Sequence, residues 1–262
     1  MIKAILFDLD DTLLWDEKSV KKAMMTTCEF ASGKYNVNPV ELERKVRENA
    51  RESYASLDTY AFTQMIGISP FEGLWGDFLD EGVNFRALKE IVPSYRKDVW
   101  AKGLQDMGID DPNLGYELAA LFPELRKGKQ YIYEDTFKVL DQLKGKYKLL
   151  MLTNGSPDLQ HTKLRITPTL APYFDQIVIS GDFGKGKPDP TIFEYALELL
   201  EVNKDEALMV GDNLMTDILG ASRTGIQSVW INHHQKRQNE IKPTYEVSTL
   251  EDLLPIVGKL NR

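Results

Sequence analysis

Cysteine is almost absent: Cys28 is the single one in 262 residues. No disulfide can form within the chain, so its folding does not call for an oxidising compartment. Long apolar stretches are missing as well. No window approaches the about 18 uncharged residues that a membrane-spanning helix needs. The opening text MIKAILFDLDD has just the run Ala4–Phe7 before Asp8. That is too short for the apolar centre of a signal peptide, and acids follow where an import peptide would be basic. Histidine is scarce, and His233-His234 sits in the polar stretch HHQKRQNEIKP, where an adjacent pair rarely makes a metal site. Net positive charge is lacking too. The balance of -8 argues against nucleic acid or an anionic membrane as the main partner, yet leaves room for a small anion at a locally positive site. A cytoplasmic protein is the expectation; the oligomeric state is not legible.

What is present is ordinary globular text, 42% hydrophobic and 27% charged, long enough for a large domain or a domain plus a smaller one. Short apolar runs recur at Ile2–Asp8, Tyr147–Asn154, Gln176–Ser180, Ala207–Asp212 and Gln227–Asn232. Near-continuous runs of this length predict strands buried on both faces of a parallel sheet. Helical patterns lie between the later ones. Glu134–Gly145 ends on a glycine. Asp189–Leu200 begins with Asp189 as N-cap and Pro190 in the first helical position, and Thr216–Gly225 closes on glycine again. The alternation predicts an α/β fold with a doubly wound, mostly parallel sheet. From about Asp16 to Lys129 the text is helical and strand runs are missing, with Pro39, Pro70, Pro93, Pro112 and Pro123 as punctuation. The expected division is therefore a sheet domain from 1–15 and 130–262, interrupted by a smaller helical domain at 16–129.

In an open parallel sheet, ligands bind beyond the carboxyl ends of the strands. The first run ends in Asp8, followed by Asp10, Asp11 and Thr12. The second ends in Thr153-Asn154-Gly155, the third leads toward Lys187, and the fourth ends in Gly211-Asp212-Asn213 with Asp217 further on. Singly, such residues are ordinary caps, turns and surface charges. Together they are a set. Asp8 and Asp10 stand one strand period apart at the end of a buried run, and two close carboxylates repel unless something binds between them. A divalent cation such as Mg²⁺, sharing oxygens with Asp212, answers that need. Lys187, the Thr153 hydroxyl and nearby backbone N–H groups would then be left to grip a phosphoryl group, whose transfer is mostly positioning and charge neutralisation.

The stretch GDFGKGKPDP, Gly181–Pro190, imitates the first part of a nucleotide-binding G-x-x-x-x-G-K-[ST] loop. Pro188 stands where a hydroxyl must hold Mg²⁺, and the expected helix begins only after Asp189, so that reading fails. A lysine set for other chemistry remains, with Lys187 favoured over its rival Lys185.

DLDDT (Asp8–Thr12), the strand ending in Thr153-Asn154-Gly155, Lys187 within KPDP, and GDNLMTD (Gly211–Asp217) together resemble, in order, the four motifs of the haloacid dehalogenase (HAD) superfamily of hydrolases. The resemblance spans the sheet domain and implies a Rossmann-like core with the helical segment as a cap after the first strand. It implies that Asp8 is a nucleophile forming an aspartyl-phosphate, and that Asp10 is the general acid and then base. It further implies Mg²⁺ on Asp8, the Asp10 carbonyl and Asp212. Thr153 and the Asn154 backbone N–H would cradle the phosphoryl oxygens, with Lys187 as countercharge. Asp217 would orient Lys187 or a metal-bound water, and Thr12 would hold the loop. In the dehalogenases that named the superfamily the second aspartate is missing from the position of Asp10; its presence implies phosphate-ester hydrolysis. Asp11 stands where many relatives carry glycine.

The chain is also similar to a bacterial, Bacillus-type group of phosphoserine phosphatases, which implies a small phosphorylated metabolite as partner and phosphoserine as the first candidate. Nucleotide, sugar and glycolate phosphates remain open, as do a phosphomutase or dehalogenase of the same fold and a non-catalytic binding protein. Trp15, Arg44, Arg47, Arg51, Thr63, Gln64, Trp75 and Arg96 are candidate substrate readers, each with a plain structural alternative. The segment Met65–Trp75 is the favoured substrate-reading loop.

Overall fold

A computed structural model describes residues 1–235, 237 and 240–261. Its sheet is built from β1 (Ala4–Phe7), β2 (Lys148–Thr153), β3 (Gln176–Ile179), β4 (Ala207–Gly211), β5 (Gln227–Ile231) and β6 (Tyr245–Val247). The order is β3-β2-β1-β4-β5-β6 and every pairing is parallel. The first five strands match the five apolar runs. Ala4, Leu6, Leu150, Leu152 and Met209 face the helix Pro190–Leu200 through Ile192, Phe193 and Ala196. Ile5, Phe7, Leu149, Met151, Leu208 and Val210 alternate with them and are buried too. Burial on both faces, at about 1.5–3 kcal/mol for each large side chain, is why these strands read as runs and not as alternations. The sixth strand is an addition to the expected five. It is short, half exposed and paired on one side, so nothing required it to be apolar.

The predicted helix starts and stops hold with small shifts. Asp189 caps Pro190–Leu200 by accepting the Thr191 amide at 2.9 Å. Gly225, at φ 82°, closes Leu219–Thr224. That helix is preceded by a wide, π-type turn at Leu214–Ile218, where the sequence predicts one continuous helix. The polar stretch after Asn232 is irregular as far as it is described; Lys236, Gln238 and Asn239 lie outside the described residues.

The chain divides into two compact units, residues 1–15, 131–155 and 167–262 in one, and 16–130 with 156–166 in the other. The expected division gave 156–166 to the sheet domain, and this is a correction. The helix Pro157–Ile166 puts Leu159 into the apolar core of the helical unit, the core that also holds Trp75, Val92, Trp100 and Phe122. The helices of that unit include Asp16–Ser32, Pro39–Ala55, Val83–Gln105 and Pro112–Gly128. Pro39, Pro70 and Pro112 open helices behind the caps Asn38, Ser69 and Asp111. Pro93 and Pro123, in contrast, lie inside helices, where the buried rows Leu88–Val92–Tyr95–Val99 and Leu118–Phe122 outweigh the about 3 kcal/mol that a proline costs. Among the described residues, no helix is long and apolar enough to cross a membrane.

Candidate active site

The parallel register places the ends of β1, β2 and β4 side by side, with β1 in the middle: Phe7 pairs with Met151 on one side and Val210 on the other. Asp8 is the next residue, and its amide still donates to the Val210 carbonyl at 2.9 Å. Its side chain is thus fixed at the sheet edge, where the strand order reverses. The chain then turns sharply. Leu13 and Leu14 donate to the Leu9 carbonyl at 3.0 Å each, and Asp11 donates to Leu14 at 2.6 Å. Asp11 has φ 58°. This is the left-handed region, free of cost for glycine and best tolerated, among other residues, by Asp and Asn. That is the physical reason for an aspartate where glycine is the alternative. Thr12, fully buried, donates its hydroxyl to Asp8 Oδ2 at 3.3 Å, so it steadies the carboxylate as well as the loop. Asp10 is half-buried on the same loop.

Lys187 decides the electrostatics. Its ammonium donates to Asp8 Oδ1 at 2.6 Å and the Leu152 carbonyl at 2.7 Å, and pairs with Asp217 Oδ1 at 2.7 Å. Two carboxylates and a carbonyl thus surround the ammonium, and the side chain is buried. Burial works against its charge, but Asp217 and Asp8 prevail and hold it above the ordinary lysine range. Asp8 is raised as well, but there the burial prevails. Burial pushes it up to about 6, with Lys187 pulling down and Asp217 adding to the rise. Lys185 points elsewhere. It is 53% exposed and paired at 3.4 Å with Asp189.

Asp217 is itself buried, and its Oδ2 accepts the Asn213 amide at 3.1 Å. Gly211 makes this possible, because a Cβ there would lie 2.3 Å from Asp217 Oδ2. The Asp212 carbonyl accepts the Trp230 indole N–H at 2.7 Å, which anchors the end of β4 to β5. Carboxylate oxygens of Asp8, Asp212 and Asp217 come within 4.8 Å of one another. Three hard oxygen donors at that spacing suit a small divalent cation. The expectation for Asp217 is a residue that orients Lys187 or a metal-bound water; its carboxylate lies against the lysine and also within the acidic cluster.

At the end of β2, Thr153 is buried and Asn154 half-buried. The Gly155 amide donates to Ser180 Oγ at 2.8 Å, a link between the ends of β2 and β3 made by a residue outside the expected set. A serine closing the third apolar run was its signal. The Asn154 carboxamide holds the Lys187 main chain, donating to its carbonyl at 2.9 Å and accepting its amide at 2.8 Å.

The candidate substrate readers have structural partners. Trp15 stacks on Tyr133 at 5.3 Å, and Tyr133 on His233 at 3.8 Å. Arg44 pairs with Glu41 and Glu48 on the helix surface. Arg47 pairs with Glu43 and, with Arg51, lies over the Phe71 ring. Thr63 donates to the Tyr60 carbonyl and Gln64 to the Tyr60 hydroxyl. Arg96 donates to the carbonyls of Gly73 and Gly76. Trp75 is buried beneath the Arg126 guanidinium, 4.7 Å away. The Met65–Trp75 segment is held by Gly67 at φ 79° and by a capping box in which Ser69 and Glu72 satisfy each other.

The doubly wound sheet and its edge of aspartates around one lysine define a hydrolase class. The chain belongs to the haloacid dehalogenase-like hydrolase family, whose sequence profile matches residues 2–225. It is 34% identical to a phosphoserine phosphatase of Thermus thermophilus over 96% of this chain and 98% of that one. It is 26% identical to the N-acylneuraminate-9-phosphatase of Mus musculus, covering 99% and 95%. In fold it is similar to the magnesium-bound HAD-hydrolase YfnB of Bacillus subtilis, with a TM-score of 0.68, 22% identity, and 98% and 99% of the two chains covered.

Proposed function

We propose that this chain is a Mg²⁺-dependent phosphatase that hydrolyses a small phosphate monoester through an aspartyl-phosphate on Asp8, with phosphoserine as the first candidate substrate. The observation that carries the reaction is the 2.6 Å contact between Asp8 and Lys187 at the end of the central strand, with Asp10 two residues on. An Asp8 oxygen attacks phosphorus, and the bond to the leaving oxygen breaks. Asp10, protonated, gives its proton to that oxygen; as carboxylate it then takes a proton from the water that attacks the phosphoryl group, releasing phosphate and restoring Asp8. Lys187 neutralises Asp8 as the anionic substrate approaches and stabilises the charge that builds up. Thr153 and the Asn154 N–H offer donors to the phosphoryl oxygens. The oxygens of Asp8 and Asp212, with the Asp10 carbonyl, would hold Mg²⁺, which supplies charge neutralisation to the phosphoryl group. Asp217 orients Lys187.

The substrate rests on a separate support, the phosphoserine phosphatase that is 34% identical over nearly the whole chain. The paired test is turnover of an aryl phosphate with Mg²⁺ and a screen of phosphorylated metabolites. Asp8→Asn should remove activity by roughly 10,000-fold or more. Asp10→Asn should cost about 100- to 10,000-fold. Activity surviving Asp8→Asn would sink the mechanism. Phosphoserine turning over no faster than nucleotide, sugar or glycolate phosphates would sink the substrate and leave the mechanism standing.

A further inference from the structure

Lys187 lies in a segment, Gly184–Asp189, that forms neither helix nor strand. A flexible four-carbon stem on an irregular loop does not by itself hold an ammonium within 2.6 Å of Asp8 and 2.7 Å of Asp217. Something has to fix the main chain at its root. The Asn154 side chain does so at both polar groups of that residue. Its Oδ1 accepts the Lys187 N–H at 2.8 Å, and its Nδ2 donates to the Lys187 carbonyl at 2.9 Å. This is the pairing a neighbouring strand residue would make, supplied here by one side chain. Asparagine is the smallest residue that carries an acceptor and a donor side by side; aspartate lacks the donor and serine lacks the span.

Gly186 completes the arrangement. A Cβ on it would lie 2.8 Å from Asn154 Oδ1, 2.9 Å from Cγ and 3.0 Å from Nδ2. Gly186 is buried and its φ is outside the left-handed region, so glycine is needed there for space and not for conformation. The other end of the lysine is held by β2, because its ammonium donates to the Leu152 carbonyl at 2.7 Å. Leu152 on β2 and Asn154 just beyond its end therefore grip Lys187 at tip and root.

We propose that the Asn154 carboxamide is the positioning residue for Lys187, and that Gly186 is the space that admits it. The role assigned to Asn154 in phosphate binding belongs to its backbone; its side chain serves the lysine. This rests on the assignment of Lys187 as the countercharge of Asp8 in phosphoryl transfer.

The test is a double-mutant cycle between Asn154→Ala and Gly186→Ala in the full chain, with an aryl phosphate and saturating Mg²⁺. Asn154→Ala should lower kcat by about 10- to 100-fold, the cost of a misplaced catalytic group, with KM within about threefold. Gly186→Ala should lower kcat similarly, because its methyl displaces the carboxamide. In the Asn154→Ala background, where the carboxamide is gone, Gly186→Ala should cost less than about twofold more. Two unconnected structural defects would instead multiply, and that result overturns the inference. So does wild-type kcat in Asn154→Ala, or an effect confined to KM. Should Asn154→Ala not fold, Asn154→Asp keeps the shape and the acceptor while removing the donor. It should show the same fall in kcat at unchanged KM, and a wild-type kcat there overturns the inference equally. Asp8→Asn separates the two levels: if it retains turnover, the reaction assignment falls and this inference with it. If it is inactive while Asn154→Ala is fully active, this inference alone falls.

Discussion

Lys187 and Asp217 form an ion pair of 2.7 Å in which the two residues keep 4% and 1% of their surface exposed. Asp8 shares the same ammonium from the other side at 2.6 Å. Two carboxylates against one cation, all out of water, is an arrangement that fails badly when the cation is removed, because the remaining charges are left buried and uncompensated. Lys187→Ala should therefore lower turnover by about 100- to 1,000-fold and stability by about 3 kcal/mol. Lys185→Ala should change neither, since its exposed pair with Asp189 is worth under about 1 kcal/mol. Steady-state kinetics and chemical denaturation of both variants decide it, and loss of turnover in the Lys185 variant alone would reverse the assignment.

Asp8 bears on metal binding through pH. Burial raises its pKa to about 6, so in the metal-free protein near pH 6 a large fraction of Asp8 carries a proton. A cation needs the carboxylate, and the proton competes with it. Mg²⁺ affinity should fall as pH drops through about 6. Binding should release protons at pH 6 and almost none at pH 8. Isothermal titration calorimetry in two buffers of different ionisation enthalpy measures that release directly. Equal proton release at both pH values, or none at either, would rule out Asp8 as a ligand with this pKa.

Asp16 makes the opposite kind of prediction, within the helical unit. Burial alone would raise its pKa, but Lys163 and Arg126 together lower it below the ordinary 3.8. Arg126 is bonded to it directly, Gln130 donates to it at 3.4 Å, and Lys163 bridges at 3.1 Å to Glu72. A depressed carboxylate contributes stability that is fully present above its unfolded pKa and is lost as pH falls through the folded one. Asp16→Asn should therefore cost about 3 kcal/mol at pH 7. Below pH 3.8 the difference from wild type should shrink. Urea denaturation at pH 7 and at successive values below 3.8 measures it; a gap that does not change with pH would mean that the charge of Asp16 is not what matters.

Much of this was legible because a parallel sheet buried on both faces writes itself as apolar runs. Asp8, Thr153 and Asp212 each follow such a run directly, so their position at one edge could be read off. Other features carried no such mark. β6 has Glu246 in its middle and a neighbour on one side, and an edge strand needs no apolar run. The helix Pro157–Ile166 follows a core strand in sequence. Yet Lys163 finds Glu72, and Leu159 lies against Gly76, where a Cβ would come within 2.6 Å of it. Those partners are distant in the chain, so the helix joins the helical unit against the expectation from order alone.

The amino-acid sequence by itself determined the inventory: five buried strands, a helical insertion, and a set of acids with one lysine after the strand ends. Burial periodicity and turn chemistry are local, and local text records them. Only the tertiary structure decided which groups meet. Lys187 and Asp8 lie 179 residues apart and touch at 2.6 Å. Lys185 has the same chemistry, yet it is left at the surface. Asn154 reaches across to the root of Lys187, and Gly211 stays bare so that Asp217 can reach the same ammonium. Ion pairing and close approach depend on distances of a few ångströms between distant segments, and no spacing along the chain encodes those distances.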